Sequence, residues 1–129
     1  MEYIYFLANA SLTLRVLNRL VNNQEFNHAS VTVIHQINGW VIRIKIPKFL
    51  PKQQDGNLRA FLSELGVPYK TGVRMDMVFW SLDMGDSPVD VMRNYKVAIV
   101  SHGSPDLSDI EDFRQKISQG LGYRPETLA

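Results

Sequence analysis

Residues 30–47 read SVTVIHQINGWVIRIKIP, two runs of alternating apolar and polar residues on either side of Asn38 and Gly39. Alternation with a period of two residues predicts half-buried strands, and an Asn-Gly pair supplies the positive φ angles of a type I′ turn. The stretch therefore predicts a β-hairpin. With Asn38 and Gly39 as the two turn residues, Ile37 would pair with Trp40, and both would face inward.

The chain on either side of the hairpin alternates between helix and strand patterns. Apolar residues at helical spacing follow serine or asparagine caps, and glycine or proline ends the patterns. The unbroken apolar run 97–100 lies between two helical patterns, which predicts a central strand covered on both faces. The predicted elements around the hairpin are a strand over 2–8, a helix after Asn9, an exposed loop over 48–55, a helix capped by Asn57, a strand over 73–82, a helix from Ser87 and a last helix from Ser104 or Ser108.

This order predicts an α/β protein of the α+β sandwich type. The elements follow one another as βαββαβαβα, and the first six have the order of a ferredoxin-like domain. The remaining αβα elements would form a C-terminal extension whose strand joins the others in a mixed sheet. Because 129 residues are within the size of one domain, residues 1–122 are predicted to form a single domain and residues 123–129 a loose tail.

The composition is typical of a folded intracellular protein. Hydrophobic residues make up 45% and charged residues 21% of the chain, which is too apolar for a disordered protein. Cysteine is absent, as suits a reducing compartment. The first residues have neither the basic start of a signal peptide nor an apolar run long enough to span a membrane. We therefore expect a cytoplasmic location and no membrane partner.

The tripeptide His102-Gly103-Ser104 follows an apolar run and precedes a helical pattern, where α/β proteins gather ligand-binding groups. The stretch 97–113 resembles the strand, HGS turn and helix that open the class II chelatases, and this resemblance implies a histidine that acts on metal and tetrapyrrole. The chain departs from that pattern, since no second metal-ligand histidine lies nearby and the family's further βα units do not follow. His102, Gly103 and Ser104 therefore form a candidate ligand-binding turn, in which amides of a helix start at Ser104 would hold an anion. The alternative is a turn and helix start without a ligand.

A second candidate surface is basic. Lys and Arg outnumber Asp and Glu in residues 1–74, and the reverse holds in residues 75–129. The outer face of the hairpin, the loop after it and the next helix would present a cluster of cations that suits phosphate groups. This surface lacks the strand aromatics on which ribonucleoprotein-type domains stack bases. The candidate nucleic-acid-binding residues are Arg43, Lys45, Lys48, Lys52 and Arg59.

No pattern in the sequence completes a catalytic or metal site. No serine lies in a nucleophile elbow, and no glycine-rich loop is followed by a lysine. We therefore assign no catalytic residue, no metal and no cofactor. The leading hypothesis is a non-catalytic regulatory or adaptor module that binds a protein partner or forms a homodimer. Nucleic-acid binding through the basic surface is the first alternative, and a small-ligand or metal-dependent enzyme with its site near His102 is the second.

Overall fold

The computed structural model describes the backbone of residues 1–120 and the side chains of residues 1–116, and the predicted tail over 123–129 lies outside the described residues. In this part of the chain, five α-helices and a short 3-10 helix accompany one five-stranded sheet. The strands are β1 Glu2–Leu7, β2 Ser30–Gln36, β3 Gly39–Lys45, β4 Gly66–Pro68 and β5 Ala98–Gly103. The helices are α1 Ala10–Asn22, α2 Lys52–Leu65, α3 Val73–Asp83, α4 Pro88–Tyr95 and α5 Leu107–Gly120, with the 3-10 turn at Gln24–Phe26.

The strands lie in the order β4-β1-β3-β2-β5, and every neighbouring pair is antiparallel. The expectation of a mixed sheet is therefore wrong. The reason lies in the hairpin. Strand β3 lies between β1 and β2 and is antiparallel to both, so β1 and β2 run in the same direction but do not pair with each other. The outer strands β4 and β5 then pair antiparallel with β1 and β2.

The hairpin predicted from residues 30–47 is confirmed, but its register differs by two residues. Gln36 pairs with Gly39, so Ile37 and Asn38 form the connection between the strands. The predicted pairing of Ile37 is wrong, because its side chain is 86% exposed. Asn38 does not have the positive φ of a type I′ turn, since Lys96 is the one non-glycine residue with positive φ in the described part of the chain.

The two faces of the sheet carry separate apolar cores. Trp40 and Ile42 belong to the first core, which α1, α2 and α5 cover. Ile34 and Val41 belong to the second core, which α3 and α4 cover. A register shift of two residues leaves every side chain on its face, so the predicted division of the hairpin into two faces holds although the pairs do not.

Residues 73–82, predicted as a strand, form the helix α3 instead. The segment is so rich in apolar residues that a period of two and a period of 3.6 both fit it. As a helix it covers the second face of the sheet, where Ile34 and Val41 would otherwise meet water. The short strand β4 already occupies the sheet edge beside β1. The buried apolar residues of α3 have helical spacing: Met75, Val78, Phe79 and Leu82.

The chain after β4 therefore has the order ααβα, whereas the sequence predicted αβα as its last three elements. Its strand β5 lies at the edge of the sheet, so the prediction of a central strand over 97–100 is wrong, and these residues are half-buried. Helices α4 and α5 pack beside β5, which accounts for its apolar sequence. Helix α2 begins at Lys52, directly after Pro51, and not at the predicted cap Asn57. Among the described residues, no helix combines the length and apolar character needed to cross a membrane.

Candidate functional site

Helix α3 carries apolar side chains on its exposed side as well as on its buried side. Its inner residues are buried in the second core. On the other side, Val73, Met77, Trp80 and the C-cap residue Met84 are 77%, 46%, 61% and 66% exposed. We call these four residues the outer stripe. A surface helix normally keeps its outer face polar, and contiguous exposed apolar side chains mark an interaction site. The outer stripe is therefore a candidate binding surface.

A buried arginine lies beneath the C-terminal end of α3. Arg43 extends from β3 towards α3, and its side chain is 3% exposed. Its Nη1 and Nη2 donate to Asp83 Oδ2 at 3.1 Å and Oδ1 at 2.6 Å, and its Cζ lies 4.5 Å from the centroid of the Phe79 ring. Lys45 Nζ also donates to Asp83 Oδ1, at 3.2 Å. This cluster connects the end of α3 to the sheet.

The electrostatics of the cluster follow from this geometry. Burial alone would raise the pKa of the Asp83 carboxyl, but the hydrogen bonds and positive charges of Arg43 and then Lys45 lower it below its ordinary value. Glu2 Oε2 lies 3.6 Å from Arg43 Nη1 and adds a second carboxylate. The two cations are thus matched by two carboxylates, so the cluster is a structural charge network rather than an open anion site.

His102 lies beside this network on β5. Its Nδ1 is 2.8 Å from Thr32 Oγ1, and Thr32 pairs with both His102 and Arg43 across the sheet. Partial burial of the ring, followed by the charge of Arg43, lowers the pKa of the His102 imidazole. The neutral ring can accept a proton, but Thr32 is 2% exposed, and its hydroxyl is not accessible for attack on a substrate. The pair orients the histidine without completing a catalytic arrangement.

The remaining residues of the predicted ligand-binding turn, Gly103 and Ser104, precede the start of α5. Gly103 has φ of 127°, a conformation that favours glycine, and Ser104 is exposed. Helix α5 begins at Leu107, and Asp106 Oδ1 accepts the backbone N–H of Ser108 at 2.9 Å. The predicted helix start at Ser104 is therefore wrong, and a carboxylate already caps the true start. The described residues contain no group of three His, Cys, Asp or Glu side chains that could hold a metal ion.

The five basic residues of the predicted nucleic-acid surface do not share one face. Arg43 is buried, and Lys45 lies with it on the α3 side of the sheet. Arg59 lies in α2 on the opposite side, in an ion pair of 3.0 Å with a carboxylate one turn earlier. Lys48 and Lys52 are exposed, at the connection between β3 and α2 and at the start of that helix. Of the five, Lys48 and Lys52 are thus exposed and take part in none of the ion pairs described.

The sequence-based interpretation missed the outer stripe, because a strand over 73–82 divided Met77 and Trp80 between two faces. The signal that identifies it is the spacing of four, three and four residues from Val73 to Met84. No protein-family model, no curated protein and no solved structure matches this chain. The inference of function therefore begins from the geometry of its surfaces.

Proposed function

We propose that this protein is a non-catalytic regulatory or adaptor module that binds protein through the outer stripe and pairs there with a second copy of itself. The observation that carries the proposal is the exposure of four large apolar side chains on a helix whose other face is buried. Bringing such side chains out of water contributes roughly 25 cal/mol for each Å² of apolar surface buried, and the loss of translational, rotational and side-chain freedom on association offsets part of it. The stripe supplies this surface in one continuous row.

The architecture supports the same proposal. The order βαββαβ of the first six elements and the strand order β4-β1-β3-β2 support a ferredoxin-like core. In that core α1 and α2 cover one face of the sheet and leave the other face open for contacts. Here α3 and α4 cover this second face. The next apolar surface available to a partner on that side is the outer face of α3.

The spacing of the outer stripe favours a second copy as the partner. Intervals of four, three and four residues are those of a helical seam in which the side chains of two helices interlock. If two α3 helices pair antiparallel about an axis between Met77 and Trp80, each Met77 meets Trp80 of the second copy. Val73 then meets Met84 in the same way at both ends. The surface is thus self-complementary, as a twofold interface requires.

Sedimentation velocity over a range of protein concentrations tests this proposal. We expect a reversible dimer of the wild-type protein at micromolar concentrations. The double variant Met77→Gln/Trp80→Gln should weaken the dimer by roughly 100-fold or more, because each substitution removes an apolar contact twice in a symmetric interface. Its folding should be preserved, since both side chains are largely exposed. Far-UV circular dichroism and thermal unfolding check that point.

Val89→Gln is the matched control. Val89 is 57% exposed on α4 and lies outside the outer stripe, so this variant should dimerise like the wild type. A wild-type protein that stays monomeric at several hundred micromolar would contradict self-association. A dimer that survives in the double variant would place the interface elsewhere.

A further inference from the structure

A groove of about 640 Å³ opens between the tip of the hairpin and the start of α3. Its floor includes Ile34 of β2, Met75 of α3 and Val97, which precedes β5. Ile37 and Val73 form part of its rim. This volume is within the range of sites that take small molecules, and an apolar floor with few polar groups is typical of them.

The formal charges that line the groove are all positive. Arg74 and Lys96 are among its lining residues, and no carboxylate is. The Arg74 guanidinium donates through Nε to the Tyr95 carbonyl at 2.8 Å and through Nη2 to the Lys96 carbonyl at 2.6 Å. These bonds hold its positive charge at the groove. The chemical complement of this lining is an apolar body that carries an anionic group.

The backbone of Lys96 adopts a left-handed conformation that is unfavourable for a residue with a side chain. It follows the last residue of α4 with φ of 58° and ψ of 47°, the left-handed conformation that glycine or asparagine normally adopts at a helix end. A cation near the C-terminus of a helix is favourable, but the carbonyls of residues 95 and 96 already accept hydrogen bonds from Arg74. The end of the helix therefore does not require a lysine. A strained residue at a cavity indicates a functional constraint.

We infer that this groove binds a small organic acid with an apolar body, whose carboxylate lies beside Lys96 and Arg74 and whose chain covers Ile34, Met75 and Val97. This site does not depend on the pairing of two α3 helices, although Val73 belongs to both surfaces. The inference explains why the apolar floor and the two cations occur together. It also explains why a lysine, rather than a glycine, occupies this left-handed position.

The test titrates the 15N-labelled Met77→Gln/Trp80→Gln variant, in which the groove is unchanged and the outer stripe is disrupted. Octanoate is the probe, and octyl glucoside and octyltrimethylammonium are its neutral and cationic counterparts. We expect saturable amide shifts at 34–38, 72–75 and 96–98 with octanoate, weaker binding of octyl glucoside and the weakest binding of the cation. Failure of dimerisation in the wild type leaves this experiment unaffected.

Three variants separate the effect of the Lys96 charge on octanoate binding from the effect of the space in the groove. Lys96→Gly should weaken octanoate binding roughly threefold to tenfold and raise the thermal midpoint by roughly 3 to 5 °C, because it removes a cation and a strained residue. Gly72→Leu should also weaken binding, since a Cβ at Gly72, which lines the groove, meets nothing within 4 Å and the leucine would narrow the groove. Lys48→Gly removes a cation elsewhere and should leave binding unchanged. An absence of saturable shifts, equal binding of the cationic probe, or unchanged octanoate affinity in Lys96→Gly would overturn the inference.

Discussion

The Arg43–Asp83 pair shows how this protein accommodates a charge between its sheet and a helix. Removing a guanidinium from water is costly, and the cost is offset here by two hydrogen bonds to one carboxylate and by the face of the Phe79 ring. The position of Asp83 is otherwise unfavourable, because it is the last residue of α3 and a negative charge repels the helix dipole there. Its presence is therefore explained by Arg43 rather than by the helix.

The substitution Asp83→Asn tests this balance. Loss of the ionic hydrogen bonds should lower the free energy of unfolding at pH 7 by roughly 1 to 2 kcal/mol, and relief of the helix dipole offsets less than that. Because the pKa of Asp83 is lowered in the folded state, its contribution is present above the unfolded pKa of about 3.9 and is lost as the pH falls below it. Urea unfolding should therefore show a difference between Asp83→Asn and the wild type at pH 7 that becomes smaller as the pH is lowered from about 4 towards 3.

Asp86→Asn is the control for this comparison, since Asp86 is exposed just beyond α3. It should leave the free energy of unfolding at pH 7 unchanged. Equal stability of Asp83→Asn and the wild type at pH 7 would mean that solvent screens the pair completely.

Among the elements, the hairpin is fixed by its contact with β1 as well as by its turn. Gly39 has φ of 155°, and an added Cβ would lie 2.7 Å from the Leu7 carbonyl oxygen and even closer to the Phe6 ring. Gly39→Val should therefore destabilise the protein by more than about 1 kcal/mol, because the strands must separate or the backbone must change. The measurement is chemical unfolding of the purified variant.

A second glycine provides the opposite expectation for the same kind of change. Gly56 lies inside α2, where an added Cβ meets nothing within 4 Å. Gly56→Ala should raise the free energy of unfolding by roughly 0.5 to 1 kcal/mol, because alanine loses less conformational freedom in a helix. For the first of these two substitutions, Gly39→Val, a stability equal to that of the wild type would show that β1 and β3 adjust freely around residue 39.

The sequence predicts correctly those elements whose apolar residues fit only one spacing, either the period of two of a strand or the period of 3.6 of a helix. The hairpin alternates clearly around Asn38 and Gly39, so its strands and faces follow, whereas its register depends on a turn whose residues are not in the expected conformation. Helix α3 was missed because its apolar residues lie on both faces, and local periodicity cannot then choose between helix and strand. The choice is made by tertiary structure, since the second face of the sheet needs a cover.

The candidate sites can likewise be predicted only where they leave a local pattern in the sequence. Arg43 alternates with apolar residues and was predicted to be exposed, yet α3 covers its face and Asp83 binds it from 40 residues away. Such a pairing has no local signal in the sequence. The outer stripe does have one, the spacing from Val73 to Met84, but it becomes meaningful once α3 is known to be a helix.

At the scale of the whole molecule, the titratable groups whose pKa is shifted by folding set the pH range of stability. The pKa of His35 is lowered by burial, and that of His102 by burial and then by Arg43. The pKa of Tyr3 is raised by burial and by its hydrogen bond to Asp55. The folded state therefore favours neutral histidines and a neutral tyrosine. Stability is expected to be greatest between the ordinary pKa values of these two residue types, about 6.5 and 10.

This pattern predicts that the free energy of unfolding falls as the pH falls from 7 to 5. A histidine whose folded pKa is lowered contributes stability above its unfolded pKa of about 6.5, and the unfolded state takes up its proton first as the pH decreases. Each proton taken up in this way gives a slope of at most about 1.4 kcal/mol per pH unit. His102 is only partly buried and contributes less than the buried His35, because solvent screens it more. Urea unfolding at intervals between pH 5 and 8 measures the slope. His102→Asn should keep the fold and reduce the slope. A wild-type stability that is constant from pH 7 to 5 would contradict the preference of His35 and His102 for the neutral imidazole in the folded protein.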